Sequence, residues 1–261
     1  MTEAAFFTDG EAYEKFMGRW SRAAGEIFID WLSLPPGLTW VDVGCGTGAF
    51  TELVIQRCRP RQISGIDPAA DQIAYAKSRP AAAHASYRTG DAQSLPYANR
   101  EFDVAAMALV IPFIPNPTKA VAEMARVTKP SGCVATYIWD FKGKGFTQQP
   151  LRDALEAMNV PAPEIIGLAS ADLEKLRSFF EAAGLRQIET RTIEIEVTYP
   201  DFNDYWISQT SLANPAVQVI RKMAAPNVER LKTYLCEHLP TKNGRIAYPA
   251  RANAIKGRVP A

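Results

Sequence analysis

Three glycines at alternate positions follow a carboxylate in Val41-Asp42-Val43-Gly44-Cys45-Gly46-Thr47-Gly48. An apolar strand that ends in this run and turns into a helix lets a ligand lie directly on the backbone, because no Cβ stands in the way. Two more acids stand at matching places, Asp67 in Ile66-Asp67-Pro68 and Asp91 in Gly90-Asp91-Ala92. Each falls where an expected strand ends, roughly a βα unit after the one before. Carboxylates at the carboxyl ends of successive strands describe a nucleoside site along the edge of an open sheet.

The glycines alone also fit a dinucleotide fingerprint, since Gly44-x-Gly46-x-x-Ala49 is followed by Asp67 near the ribose-binding distance. The neighbours separate the two readings. An acid such as Asp42, just before the first glycine, repels a pyrophosphate but suits a ligand carrying an ammonium and a sulfonium. The run Val41 to Thr51 is followed by Gly65-Ile66-Asp67-Pro68 and by Gly90-Asp91-Ala92-Gln93-Ser94-Leu95-Pro96-Tyr97. Glu101-Phe102-Asp103-Val104 and Val127-Thr128-Lys129-Pro130-Ser131-Gly132 come next. In this order and spacing, over residues 38–140, the chain resembles the class I S-adenosylmethionine-dependent methyltransferases. It looks most like their ubiquinone/menaquinone C-methyltransferase-like small-molecule group. Phe16-Met17-Gly18-Arg19-Trp20-Ser21-Arg22 is similar to the opening of one branch of that group.

The resemblance implies an α/β, Rossmann-like, seven-stranded and mostly parallel sheet with helices on both faces. Its last strand runs antiparallel, inserted between strands five and six. Residues 1–37 are expected as an N-terminal helical lid and residues 38–261 as the methyltransferase domain. Cap elements are expected at 141–170 and 201–240. The implied cofactor is S-adenosyl-L-methionine, with S-adenosyl-L-homocysteine as product. Gly44, Cys45, Gly46 and Gly48 then lie against its methionine part, and Asp42 lies near its ammonium, directly or through water. Asp67, with Pro68 beside it, takes the ribose hydroxyls. Asp91 and the Ala92 N–H take the adenine, and Met107 offers backbone after strand four. Tyr13 and Arg19 reach down from the lid, with Arg19 placed to pair with the cofactor carboxylate.

Relatives often carry a histidine a little beyond strand four, where this chain has Pro112. General-base work, if needed, therefore falls to Asp140, Tyr13 or His238. Trp139, Phe141, Tyr205 and Trp206 are the expected contacts to the methyl acceptor, a small or medium-sized molecule, aromatic or apolar. Two other functions fit parts of the pattern: a nicotinamide-dependent oxidoreductase, and an S-adenosylmethionine-binding protein without turnover.

Composition narrows the partners. Net charge is +1 from 29 basic and 28 acidic residues, which gives no electrostatic case for nucleic acid or acidic membranes. The 4 cysteines are scattered without a C-x-x-C pair or histidine cluster, so free thiols and no metal site are expected. The start lacks a basic n-region and a long apolar core, and the apolar run from Val104 to Ile111 is too short to span a bilayer. A cytoplasmic protein without membrane insertion is the expectation.

The elements that must position the site follow from periodicity. Apolar runs alternate with helical patterns from Trp40 to Trp139, the signature of βαβ units. Strands are expected at 39–43, 62–66, 85–89, 102–107 and 133–139, with helices at 49–58, 69–78 and 118–128. Asn116 caps the last of these and Pro117 opens it, where a missing N–H costs nothing. Tyr13, Phe16, Met17 and Trp20 form one helical stripe, and Ile27, Phe28, Trp31 and Leu32 a second. Further helices are expected around 151–158 and at 173–183, the second closed by Gly184. Residues 186–199 alternate as a strand, 201–240 form a helical excursion, and 245–255 give the final strand.

Overall fold

The computed structural model describes residues 18–161, 164, 167–211 and 215–261. Tyr13 and the stripe from Tyr13 to Met17 lie outside them. The described chain opens with helix α1 (Arg19–Leu32), then β1 (Thr39–Val43), α2 (Ala49–Cys58), β2 (Gln62–Asp67), α3 (Ala70–Ser78) and β3 (Ser86–Thr89). It continues through β4 (Phe102–Ala108), α4 (Pro117–Val127), β5 (Thr128–Trp139), α5 (Gln149–Ala157), α6 (Leu173–Ala182) and β6 (Arg186–Tyr199). Three helices follow, α7 (Phe202–Ser211), α8 (Pro215–Lys222) and α9 (Ala225–His238), before β7 (Thr241–Lys242) and β8 (Arg245–Arg258).

The sheet order is β3-β2-β1-β4-β5-β8-β6, with β7 paired to β8. β1 to β5 are parallel, and β8 runs antiparallel to both β5 and β6. This is the mostly parallel Rossmann-like sheet expected, with an eighth strand, the two-residue β7, that no seven-strand count includes. β7 is too short to leave an alternation in the sequence. β5 is assigned from Thr128, but Ser131 takes a left-handed φ of 61° and the continuous ladder to β4 and β8 starts at Cys133.

Local chemistry fixes the element ends. The Asn116 side chain accepts from the Lys119 N–H at 3.1 Å, and Asp172 accepts from the Glu174 N–H at 2.9 Å, each capping a helix. Gly184, at φ 75°, closes α6. Residues of β1 are all buried, as a central parallel strand covered on both faces requires. Tyr137 of β5 packs against Phe28 of α1 and Phe50 of α2, with ring centroids 4.7 and 6.1 Å away. Phe180 of α6 faces Gly257 on the opposite side of the sheet. α1 and α2 therefore cover one face, and α6 the other.

The amino edge is locked by ions. Asp103 of β4 accepts from the Thr39 N–H and hydroxyl at 2.8 and 2.6 Å and pairs with Lys129 at 2.7 Å. Among the described residues, no helix is long and apolar enough to cross a membrane.

Candidate active site

A cavity of about 780 Å3 opens across the carboxyl ends of β1, β2 and β4. β1 has β2 on one side and β4 on the other, so the cavity lies where the strand order reverses and an open α/β sheet binds its ligand. Gly44, Cys45 and Gly46 form its floor, Asp67 and Pro68 one wall, and Asp91 and Ala92 its end. Ser21, Arg19 and Arg22 of α1 close it from above, with Leu109 and Val110 after β4 opposite.

The glycines serve different ends. Gly46 has φ 49°, and a Cβ there would project into open space, with only Gln72 Oε1 nearby at 3.9 Å. Gly44 has φ 75°, and its Cβ would sit 2.5 Å from the Val110 side chain. Gly48 does not line the cavity. At φ 79° its Cβ would press within 3.0 Å of Ala76 and the Tyr87 hydroxyl, so this glycine lets α2 and α3 approach β3.

Asp67 braces the turn from the neighbouring strand. Its Oδ2 accepts from the Gly46 N–H at 3.0 Å and its Oδ1 from the Ala69 N–H at 2.9 Å. Burial raises its pKa, and the two backbone N–H groups oppose that rise. Each oxygen keeps a lone pair for a ligand hydroxyl. Asp91 Oδ1 accepts from the Gln93 N–H at 2.8 Å, and the Gln93 side-chain amide lies 3.2 Å from both carboxylate oxygens. Gln93 Oε1 in turn accepts from the Asn116 N–H, tying the end of the cavity to the start of α4.

Asp42 sits beneath the turn and is not on the cavity wall. Its Oδ2 accepts from the Thr51 hydroxyl at 2.6 Å, while its Oδ1 is buried without a partner. Burial raises its pKa to about 7, and the nearby Asp67 charge adds to the rise.

Several expected contacts lie elsewhere. Met107 is fully buried and its carbonyl accepts from the Thr136 hydroxyl, so the wall begins one residue later, at Ala108 and Leu109. Leu109 has φ 62°, a left-handed conformation rare outside glycine and a strain stored at the cavity edge. Asp140 is held by the Gly143 N–H at 2.8 Å and Arg251 at 3.3 Å, so it caps a loop and does not line the cavity. His238 is exposed at the end of α9, stacked on Tyr234, with Nδ1 against the Tyr234 carbonyl. Neither acid nor imidazole comes from these positions.

Trp139, Phe141, Tyr205 and Trp206 do not line the cavity either. Phe141 packs edge-on against Phe146, and Trp206 stacks on Phe202 under Lys232. Trp139 and Tyr205 are buried. Sequence reasoning missed Glu52, Gln72 and Arg79 on the wall. Arg79 Nε donates to the Thr47 carbonyl at 2.6 Å, and its Nη1 pairs with Glu52 at 2.7 Å. Its position beyond the end of α3 gave no local signal, because the contact crosses between helices.

Residues 41–136 match a family model described as a methyltransferase domain. Over that stretch the chain is similar to methyltransferase domains. Its relatives include malonyl-[acyl-carrier protein] O-methyltransferase of Pectobacterium atrosepticum, 30% identical over 50% of this chain and 50% of the relative. A 2-phytyl-1,4-naphtoquinone methyltransferase of Thermosynechococcus vestitus is 30% identical over 56% of this chain and 65% of the relative. The chain thus spans only part of the length of these curated relatives. The chain also superposes on the putative methyltransferase solved with the Haloferax volcanii Trm112 activator. That likeness has a TM-score of 0.63 at 17% identity and covers 100% of this chain and 99% of the other, a likeness of fold.

Proposed function

We propose that this protein transfers a methyl group from S-adenosyl-L-methionine to a small or medium-sized acceptor. The observation that carries this reading is the glycine floor beside a braced carboxylate: a Cβ at Gly46 would stand in the cavity, and Asp67 faces the same space. When bound, S-adenosyl-L-methionine supplies a methyl on a positively charged sulfur, which an acceptor lone pair displaces in line.

The chain's own residues hold and align. Asp67 accepts from both ribose hydroxyls, a charge-assisted pair of bonds. Asp91 and the Ala92 N–H hold the adenine, with Pro68 against the nucleoside. Gly44, Cys45 and Gly46 present backbone to the methionine part. Arg19 pairs with its carboxylate, and Asp42 attracts its ammonium from beneath the turn. Holding the acceptor at attack distance under α1 and the cap supplies orientation and excludes water. No histidine lies on the described wall, so the acceptor's proton leaves to solvent or to a cavity carboxylate. The lid at 1–37 and the caps at 141–170 and 201–240 are part of this reading.

Calorimetry on the pure protein tests it. S-adenosyl-L-homocysteine is expected to bind and NAD to give no signal. Binding of NAD alone overturns the cofactor assignment in favour of an oxidoreductase. A second reading, cofactor binding without turnover, draws on the sequestration of Asp140 and His238 away from the cavity. Methylation of any acceptor excludes it.

A further inference from the structure

The glycine turn is held largely from outside itself. Gly44, Gly46 and Gly48 take left-handed φ values of 75°, 49° and 79°, and glycine has more conformational freedom to lose than any other residue. The ladder of α2 opens with the Glu52 N–H donating to the Gly48 carbonyl at 2.9 Å, one residue past Thr47. The next βα unit supplies the grip. Asp67, at the end of β2, takes the Gly46 N–H at 3.0 Å. Arg79, just past the end of α3, gives its Nε to the Thr47 carbonyl at 2.6 Å. The turn is thus pinned at an N–H and at a carbonyl by the two ends of one unit.

Arg79 is itself fixed. Its Nη1 pairs with Glu52 at 2.7 Å, and the two side chains are only 16% and 17% exposed, so salt screens this pair far less than a surface one. The other Glu52 oxygen accepts from Gln56 at 3.4 Å, and Gln56 accepts from Arg22 of α1 at 2.9 Å. Arg79 and Glu52 line the cavity, yet both Glu52 oxygens and two arms of Arg79 are engaged within the protein. One planar guanidinium serves a carbonyl and a carboxylate at once. A lysine ammonium, a point charge on a flexible stem, does not reproduce that fork.

Resting on the methyl-transfer reading, we propose that Arg79 is a positioning residue: together with Asp67 it clamps Gly46 and Thr47 in the form that receives the cofactor, and Glu52 holds the clamp in place. Arg79 does this without touching the cofactor. A turn fixed before binding spares the ligand the cost of ordering it. Because the Gly46 N–H is bonded to Asp67, a loosened turn also loosens the carboxylate that takes the ribose. Removal of Arg79 therefore weakens the hold on the nucleoside and methionine parts alike.

The probes are S-adenosyl-L-homocysteine and 5′-methylthioadenosine, a thioether of the same nucleoside that lacks the carboxylate and ammonium. Binding is measured calorimetrically on the full chain, at a temperature well below the Tm of every variant. Arg79→Ala is expected to weaken both probes about tenfold, the equivalent of one net hydrogen bond. Guanidinium chloride at low, non-denaturing concentration is expected to restore much of that affinity, and Arg79→Lys to stay as weak as Arg79→Ala. Glu52→Leu is expected to weaken both probes on its own and to add nothing to Arg79→Ala, because it acts through Arg79. A loss confined to S-adenosyl-L-homocysteine makes Arg79 a direct contact of the carboxylate and overturns the proposal. Full affinity in Arg79→Lys overturns it too, since charge alone then suffices. So does full affinity in Arg79→Ala with a lowered Tm, which leaves Arg79 only the task of holding α2 against α3. Should Arg79→Ala not fold, Arg79→Lys and Glu52→Leu decide with the same two probes. Failure of the wild-type chain to bind S-adenosyl-L-homocysteine at all instead sinks the methyl-transfer reading.

Discussion

At the scale of single residues, two carboxylates act in opposite ways. Asp67 lies on the cavity wall with both oxygens already accepting backbone N–H groups. Asp67→Ala is expected to weaken S-adenosyl-L-homocysteine by about 2–4 kcal/mol, from the loss of two charge-assisted bonds and of the brace on Gly46. Calorimetry checks this, and wild-type affinity would remove Asp67 from the site. Asp42 is buried with its pKa raised to about 7 from 3.8. The folded state binds its proton more tightly than the unfolded state, so this group's contribution to stability falls as pH rises from about 4 to about 7. Asp42→Asn is expected to raise Tm at pH 8 and to flatten that slope. A cofactor ammonium favours the ionised acid, so S-adenosyl-L-homocysteine should bind several-fold tighter to the wild type at pH 8 than at pH 6. A pH-independent affinity would detach Asp42 from the ammonium. That Asp67, Asp91 and the glycine turn follow strand ends was legible in the sequence, because turn chemistry depends on near neighbours in the chain; that Asp42 lies beneath the turn and Gly48 off the cavity was not. Arg79 and Glu52 were not, because their pairing joins two helices.

At the scale of elements, the strand ends that carry the site follow from alternation and turn chemistry, and β1 matches its expected bounds residue for residue. The wall after β4 was harder. A continuous apolar run does not reveal that Met107 turns its carbonyl to Thr136 while Leu109 takes a left-handed φ. The glycine turn separates two failures. Gly46→Val should abolish cofactor binding with a modest fall in Tm, since its side chain enters the cavity. Gly48→Val should lower Tm steeply, since its side chain strikes Ala76 and Tyr87. Calorimetry paired with thermal melts reads both, and near-normal binding by Gly46→Val would detach the turn from the cofactor. At the opposite edge, burial works to raise the Asp103 pKa, but hydrogen bonds from Lys129 and Thr39 win and hold it near about 2. Its folded pKa is depressed, so its stabilisation is present above about pH 4 and is lost as pH falls toward 2. Asp103→Asn should lower stability at pH 7 by about 1–2 kcal/mol and leave cofactor affinity unchanged. Denaturant melts at pH 7 and pH 3 check it, the gap between variant and wild type narrowing at the lower pH.

At the scale of the whole molecule, α1 joins the cavity to the ribbon of β6 and β8. Arg19 and Ser21 line the cavity, while Trp20 reaches Tyr199 of β6. Cofactor binding is expected to protect the backbone of α1 and α7 from hydrogen exchange together, because Arg19 touches both regions. Equal exchange with and without S-adenosyl-L-homocysteine would mark α1 as permanently packed. The helical excursion between β6 and β7 was legible; which way its aromatics point was not. Tyr205 turns inward and Trp206 outward because packing on Tyr199 and Phe202 decides it. The sheet order also sets a timetable for folding. β6 has β8 as its sheet neighbour, and α7 to α9 are made between them. Until β8 slots in beside β5, β6 hangs unpaired, and the chain must close a long loop before any of that pairing rewards it. A newborn chain therefore completes its parallel strands first. The ribbon of β6 and β8 forms after the parallel strands, and it is the part most exposed to mispairing while the chain waits.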